Sequence, residues 1–164
     1  MKILYFGGQK SGKSQLAEQK ALSLSNQTKS KPYYIATYDS SFGDSEMTNR
    51  IDLHQSQRED KFITIEEPKD ISKVIEPNQT YLVDCLTMLI LNNNDLENLK
   101  SQLETISMID TNIVFVLNDI NSGVIPSDKF SREFVDMSGI IGQMIAKMCD
   151  EVYEVKLGLE LKLK

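Results

Sequence analysis

One histidine, two cysteines and no apolar run near 18 residues characterise this 164-residue chain. The last absence argues against a helix that spans a bilayer. The apolar stretch in MKILYFGG is too short for a signal peptide, so the expected location is the cytoplasm. Cys85 and Cys149 lie far apart in apolar surroundings, too few for a disulfide framework or a cysteine-based metal cluster. They read as reduced core residues. Positive charge is also in deficit: 18 Lys and Arg stand against 24 Asp and Glu, a net charge of −6. That balance argues against a nucleic-acid partner held through its phosphate backbone. It leaves room for a phosphate-bearing small molecule at a local site.

What is present is an ordinary globular composition, 40% apolar and 26% charged, long enough for one domain over residues 1–164. Short apolar runs recur at 2–6, 33–37, 62–65, 80–84, 112–117 and 151–157. NIVFVL is almost continuously apolar, as expected of a strand covered on both faces. Helix-like stretches alternate with these runs at 13–25, 45–58, 68–75, 85–92, 95–107 and 128–148. In the last, Phe130, Phe134, Met137, Ile141, Ile145 and Met148 recur at three- and four-residue steps. The alternation predicts an α/β fold with a mainly parallel central sheet. NNNDLEN (92–98) and DINSGVIPSD (119–128) are the expected irregular connections.

FGGQKSGKS contains Gly7-x4-Gly12-Lys13-Ser14, a complete P-loop pattern between an apolar strand and a helical stretch. Glycines let backbone N–H groups turn inward around an anion, and the helix N-terminus adds partial positive charge. Lys13 suits the β- and γ-phosphates, and the Ser14 hydroxyl suits Mg²⁺. The bland alternative is a Gly/Ser-rich turn linking strand to helix. TYLVD then ends a core strand on Asp84. Its carboxylate is either a second Mg²⁺ position or the N-cap of the helix that follows, and the two roles are compatible. The expected ligand is a nucleoside triphosphate.

The single histidine, His54, falls in RIDLHQSQR. On a helix, Glu46, Arg50, His54 and Arg58 share one face that carries no large apolar residue. A solvated ladder of charge pairs explains that pattern without any function. The other reading is chemical: flanking arginines favour a neutral, nucleophilic imidazole and attract phosphate. Such an imidazole facing an α-phosphate displaces pyrophosphate and holds a nucleotidyl group.

In order along nearly the whole chain, these stretches resemble one family. They are FGGQKSGKSQLAE, YIAT, Asp44-x-Glu46-Met47-x-x-Arg50-Ile51-x-x-His54-x-x-x-Arg58, TIEEP (64–68), VDCLT (83–87), Asn118 with Gly123 and Pro126, Arg132-x-Phe134-x-Asp136-x-x-Gly139, and CDEVYEV with Gly158. The family is the adenosylcobinamide kinase/adenosylcobinamide-phosphate guanylyltransferases of cobalamin biosynthesis. The resemblance implies a P-loop NTPase (RecA-like) three-layer fold, a homotrimer, and two reactions. The hydroxyl of adenosylcobinamide, the corrinoid partner, takes the γ-phosphoryl group of ATP or GTP. His54 then takes GMP from GTP and passes it to the new phosphate.

The resemblance also implies the nucleotide contacts. They are Gly7, Gly8, Gln9, Lys10, Ser11, Gly12, Lys13, Ser14, Ala36, Thr37, Tyr38, Gln55, Ser56, Gln57, Arg58, Glu66 and Asp84. Ser14 and Asp84 would hold Mg²⁺, and Asp44, Glu46 and Glu66 are candidate bases for the kinase step. The chain departs from the family pattern at Tyr38, Asp119, Asn121, Val135 and Gly142. These departures bear on corrinoid specificity and kinase efficiency more than on nucleotide binding. Two other functions fit the motifs: a family member with only one half-reaction, and a P-loop regulatory module whose loop 38–45 reorders with the γ-phosphate.

Overall fold

A computed structural model of the chain describes residues 1–28, 30–38 and 60–164. The predicted helix 45–58 lies outside the described residues. The strands are β1 (Lys2–Gly7), β2 (Tyr33–Ala36), β3 (Ile63–Glu66), β4 (Thr80–Asp84), β5 (Asn112–Asn118), β6 (Glu151–Lys156) and β7 (Leu159–Lys162). They form one sheet in the order β3-β2-β4-β5-β1-β6-β7. The first six pair in parallel, and β7 runs antiparallel to β6. The helices are α1 (Lys13–Thr28), α2 (Leu86–Asn93), α3 (Leu96–Ser107) and α4 (Lys129–Met148). The expected α/β fold with a mainly parallel sheet is observed.

Alternate residues of the central strands feed two cores. Ile113, Phe115 and Leu117 of β5 pack with Leu4 of β1 and with α2, α3 and α4. Val114 and Val116 pack with Ile3 and Tyr5 of β1 and with Ala17, Ala21 and Leu24 of α1. This is why the strands read as continuously apolar: both faces are covered. The alanines of α1 let that helix lie close to the sheet behind the P-loop. Among the described residues, no helix is long and apolar enough to cross a membrane.

Four sequence expectations need correction. The stretch 68–75 forms only a 3₁₀ turn, Ile71–Lys73. Glu67 accepts hydrogen bonds from the N–H groups of Lys69 (2.9 Å) and Asp70 (2.8 Å), and these local bonds displace helical ones. The patch 92–98 is not a loop. Asn94 closes α2 with φ 45°, and Asp95 caps α3 by accepting from Glu97 N (3.0 Å) and Asn98 N (3.1 Å). In α4, Ile141 and Ile145 are buried, but Phe130 is 54% exposed, one turn beyond the core stripe. Finally, β7 was not expected. Its LELK alternation was the signal, but all four of its residues are exposed, so no apolar burial marked it. It is made by a two-residue turn, Leu157 (φ 55°) and Gly158 (φ 79°), whose paired positive angles suit a tight hairpin.

One ion-pair cluster ties β7 and α1 to β6. The Glu151 carboxylate lies 2.9 Å from both Lys20 Nζ and Lys162 Nζ. Bonds from Lys20 and then Lys162 hold its pKa down, from 4.5 to about 2. A depressed carboxylate contributes stability that is fully present above its unfolded pKa and is lost as pH falls through the folded one. The denaturation midpoint in urea should therefore fall between pH 4.5 and about 2. In Glu151→Gln that part of the slope should flatten. An unchanged slope would show that the cluster adds nothing.

Candidate functional site

All six parallel strands end at one edge of the sheet, and the candidate residues collect there. β1 ends at Gly7, paired in register with Asn118 of β5. A Cβ on Gly7 would meet the Val155 carbonyl oxygen of β6, so only glycine fits between these strands. The chain then turns through Lys10 (φ 57°) and Gly12 (φ 97°) into α1. Ser11 N donates to Gly8 O (3.2 Å), closing the turn. Gly8, Gln9 and Lys10 are exposed on its rim. The loop is held from two sides: Asp119 N donates to Gly7 O (2.9 Å), and Gly158 N of the β6–β7 turn donates to Ser11 O (2.8 Å).

Lys13 is the charged centre of this loop, only 6% exposed. Its Nζ donates to Gly8 O at 3.2 Å. Burial lowers its pKa, while Asp84 and Cys85 pull the other way. A cation kept on a short tether in a dry loop is ready to meet phosphate oxygens without rearrangement. Ser14 Oγ donates to Asp84 Oδ1 at 3.5 Å, so the two expected Mg²⁺ ligands are neighbours although 70 residues apart in sequence. The N-cap of α2 is Cys85, with no side-chain cap bond, so the capping role considered for Asp84 is not realised. Among the described residues, no three His, Cys, Asp or Glu side chains group as a metal cluster. The Ser14–Asp84 pair suits an ion that keeps most of its water.

Ala36, Glu66 and Asp84 form one row across the sheet edge, because Ala36 is in register with both of the others. Glu66 is exposed there, and Tyr38 is half-buried. Thr37 is fully buried, and its hydroxyl is committed elsewhere: it donates to Cys85 O (2.7 Å) and accepts from Cys85 N (3.1 Å). Thr37 thus braces the Asp84–Cys85 corner with its side chain. Desolvation pushes the Cys85 thiol up to about 11, away from the thiolate form. Burial pushes the Cys149 thiol up to about 12, as suits a core residue. His54, Gln55, Ser56, Gln57 and Arg58, with Asp44 and Glu46, lie outside the described residues.

Sequence reasoning missed a clamp of side-chain amides. Asn92 Nδ2 donates to Thr37 O (2.7 Å) and to Pro68 O (2.9 Å), joining the exits of β2 and β3. Asn93 Nδ2 and Gln102 Nε2 both donate to Lys69 O, at 2.7 and 2.8 Å. The available signal was an asparagine pair ending the otherwise apolar helix LTMLILNN. Asn92→Ala should leave two carbonyls without this donor and cost about 1–3 kcal/mol. It should also loosen the Ala36–Glu66 row, so the KM for nucleotide should rise more than kcat falls. Chemical denaturation and steady-state kinetics check the two effects, and a parental KM would limit Asn92 to a structural role.

Comparisons with known proteins identify the family of the chain. A family model described as "Cobinamide kinase / cobinamide phosphate guanyltransferase" matches residues 3–163. The bifunctional adenosylcobalamin biosynthesis protein CobP of Pseudomonas aeruginosa is 34% identical over 175 residues, covering 100% of this chain and 98% of that protein. The bifunctional adenosylcobalamin biosynthesis protein CobU of Escherichia coli is 28% identical over 188 residues, covering 100% of both. Among solved structures, the flagellar accessory protein FlaH of Methanocaldococcus jannaschii superposes with a TM-score of 0.50 at 14% identity, over 93% of this chain and 70% of that one. That last likeness concerns the fold alone.

Proposed function

Because the chain belongs to the cobinamide kinase / cobinamide phosphate guanyltransferase family, we propose that one domain carries both transfers on a corrinoid substrate. It phosphorylates adenosylcobinamide from ATP or GTP and then converts the phosphate to adenosylcobinamide-GDP with GTP. The observation that supports this most is the P-loop with Lys13 buried beside the Ser14–Asp84 pair, in a chain matched end to end by bifunctional relatives.

In the first transfer the acceptor hydroxyl attacks the γ-phosphorus, the bond to the bridging oxygen breaks, and the nucleoside diphosphate leaves. The protein's part is positioning and charge. The turned-in N–H groups of the P-loop hold the phosphates, and Lys13 meets the charge that shifts toward the leaving group. Glu66, exposed at the end of β3, is a candidate base for the hydroxyl proton, with Asp44 and Glu46. Ser14 and Asp84 fit Mg²⁺ as a pair of hard oxygen donors. When bound, the ion neutralises phosphate charge.

In the second transfer the His54 imidazole attacks the α-phosphorus of GTP, and pyrophosphate leaves. The phosphate oxygen of the corrinoid then attacks the phosphoramidate and frees the histidine. The covalent route splits one displacement into two, with pyrophosphate leaving in the first and the imidazole in the second. Arg58 is the cation expected beside this step, with Gln55, Ser56 and Gln57 as nucleotide contacts. The family resemblance also carries the expectation of a homotrimer.

The reading is tested by two separate assays on purified protein with Mg²⁺. ATP labelled at the γ-phosphate should transfer label to cobinamide. GTP labelled at the α-phosphate should label the protein, with a bond that survives base and breaks in acid. Loss of either result alone would leave an enzyme with one half-reaction. Loss of both, with GTP binding intact, would favour the regulatory module.

A further inference from the structure

The same edge of the sheet has a second feature, beside the P-loop. The β5–α4 connection, residues 119–128, folds against the first half of α4 and encloses a cleft of about 180 Å³. Apolar walls come from Ile120, Val124, Ile125 and Val135, and the polar lining includes Arg132 and Asp136. The loop is braced rather than slack. Asn121 Nδ2 donates to Val135 O (2.8 Å), and Arg132 Nη1 donates to the carbonyls of Pro126 (2.9 Å) and Ser127 (2.6 Å). Asp119 accepts from Asn121 N (3.2 Å) and Ser122 Oγ (2.8 Å). This bracing holds Val124 and Ile125 outward, 95% and 80% exposed. Large apolar side chains presented by a hydrogen-bonded loop are a ready surface for a ligand.

The position narrows the choice of ligand. Asp119 is bonded to Gly7 O, so the cleft starts beside the P-loop. On the other flank of β1, the β6–β7 turn closes against Ser11. The row Ala36–Glu66–Asp84 lies beyond β5, on the nucleotide side. We propose that the cleft between residues 119–128 and α4 is the acceptor site, gripping one edge of the corrinoid. The inference rests on the functional reading above. The cleft is too small for a whole macrocycle and suits one amide-bearing arm of it. Arg132 and Asp136 offer a donor and an acceptor to such amides. Val124 and Ile125 then lie against the flank of the ring.

The test uses the full chain with Val124→Asp and Ile125→Asp, both at exposed positions where folding tolerates charge, and Asp136→Asn as an independent third variant. The KM for cobinamide should rise about tenfold or more, while kcat and the KM for ATP stay within about twofold. Equilibrium dialysis with dicyanocobinamide should show a matching loss of binding. An active wild type whose three variants keep the parental cobinamide KM would overturn the inference alone. So would variants whose apparent mass falls while that KM holds, because the loop would then be a contact between copies. A wild type that never phosphorylates cobinamide would overturn the functional reading, and this inference with it.

Discussion

Lys13→Met should lower kcat for phosphoryl transfer to cobinamide by about 10²–10³-fold, the usual cost of removing one preorganised charge from a transition state. The ammonium is buried and tethered to Gly8 O, whereas Lys10, the other cation of the loop, is exposed on its rim. Methionine matches the length of the lysine stem, so the P-loop should keep its shape. The protein should not lose stability. Burial already opposes the charged form of Lys13, and replacing a desolvated cation with an apolar chain removes that penalty. The diagnostic pattern is a large fall in rate with an unchanged or raised thermal midpoint. A rate within threefold of the parent would mean that Lys13 is not the phosphate cation.

His54→Ala should abolish covalent labelling by GTP and slow guanylyl transfer by at least about three orders of magnitude, as loss of a nucleophile does. Phosphorylation of cobinamide by ATP should persist, because the P-loop chemistry needs no imidazole. This split separates the two transfers within one chain. If the variant still forms labelled protein, the nucleophile is another residue. If it loses both activities while remaining folded, His54 acts on nucleotide binding and not as a covalent carrier.

The P-loop was legible because its information is local. Nine consecutive residues, FGGQKSGKS, contain both the glycines that permit the turn and the groups that meet phosphate. The apolar runs gave the strands and the sheet type for a similar reason: burial on both faces leaves a mark within one short segment. Asp84 was legible as a strand-ending carboxylate, but its partnership with Ser14 depends on two intervening strand pairings. The amide clamp was not legible. Asn92 meets Thr37 and Pro68 only once α2 has packed, and nothing in LTMLILNN names those partners. The 3₁₀ turn at Ile71–Lys73 was misread because Glu67 redirects the backbone with bonds that periodicity does not register.

The strand order also has a consequence for how the protein is born. β1 and its phosphate loop are made early, yet both neighbours of β1 in the sheet, β5 and β6, are made late. On the order of 100 residues separate Gly7 from its partner strand β5, so on a ribosome adding roughly 5–20 residues per second β1 waits on the order of ten seconds unpaired. During that interval the glycine turn lacks its ties to Asp119 and Gly158, and the buried place for Lys13 does not yet exist. A nascent chain therefore has no grip on nucleotide until β5 and β6 have emerged, and triphosphate in the surrounding cell can reward only a completed sheet.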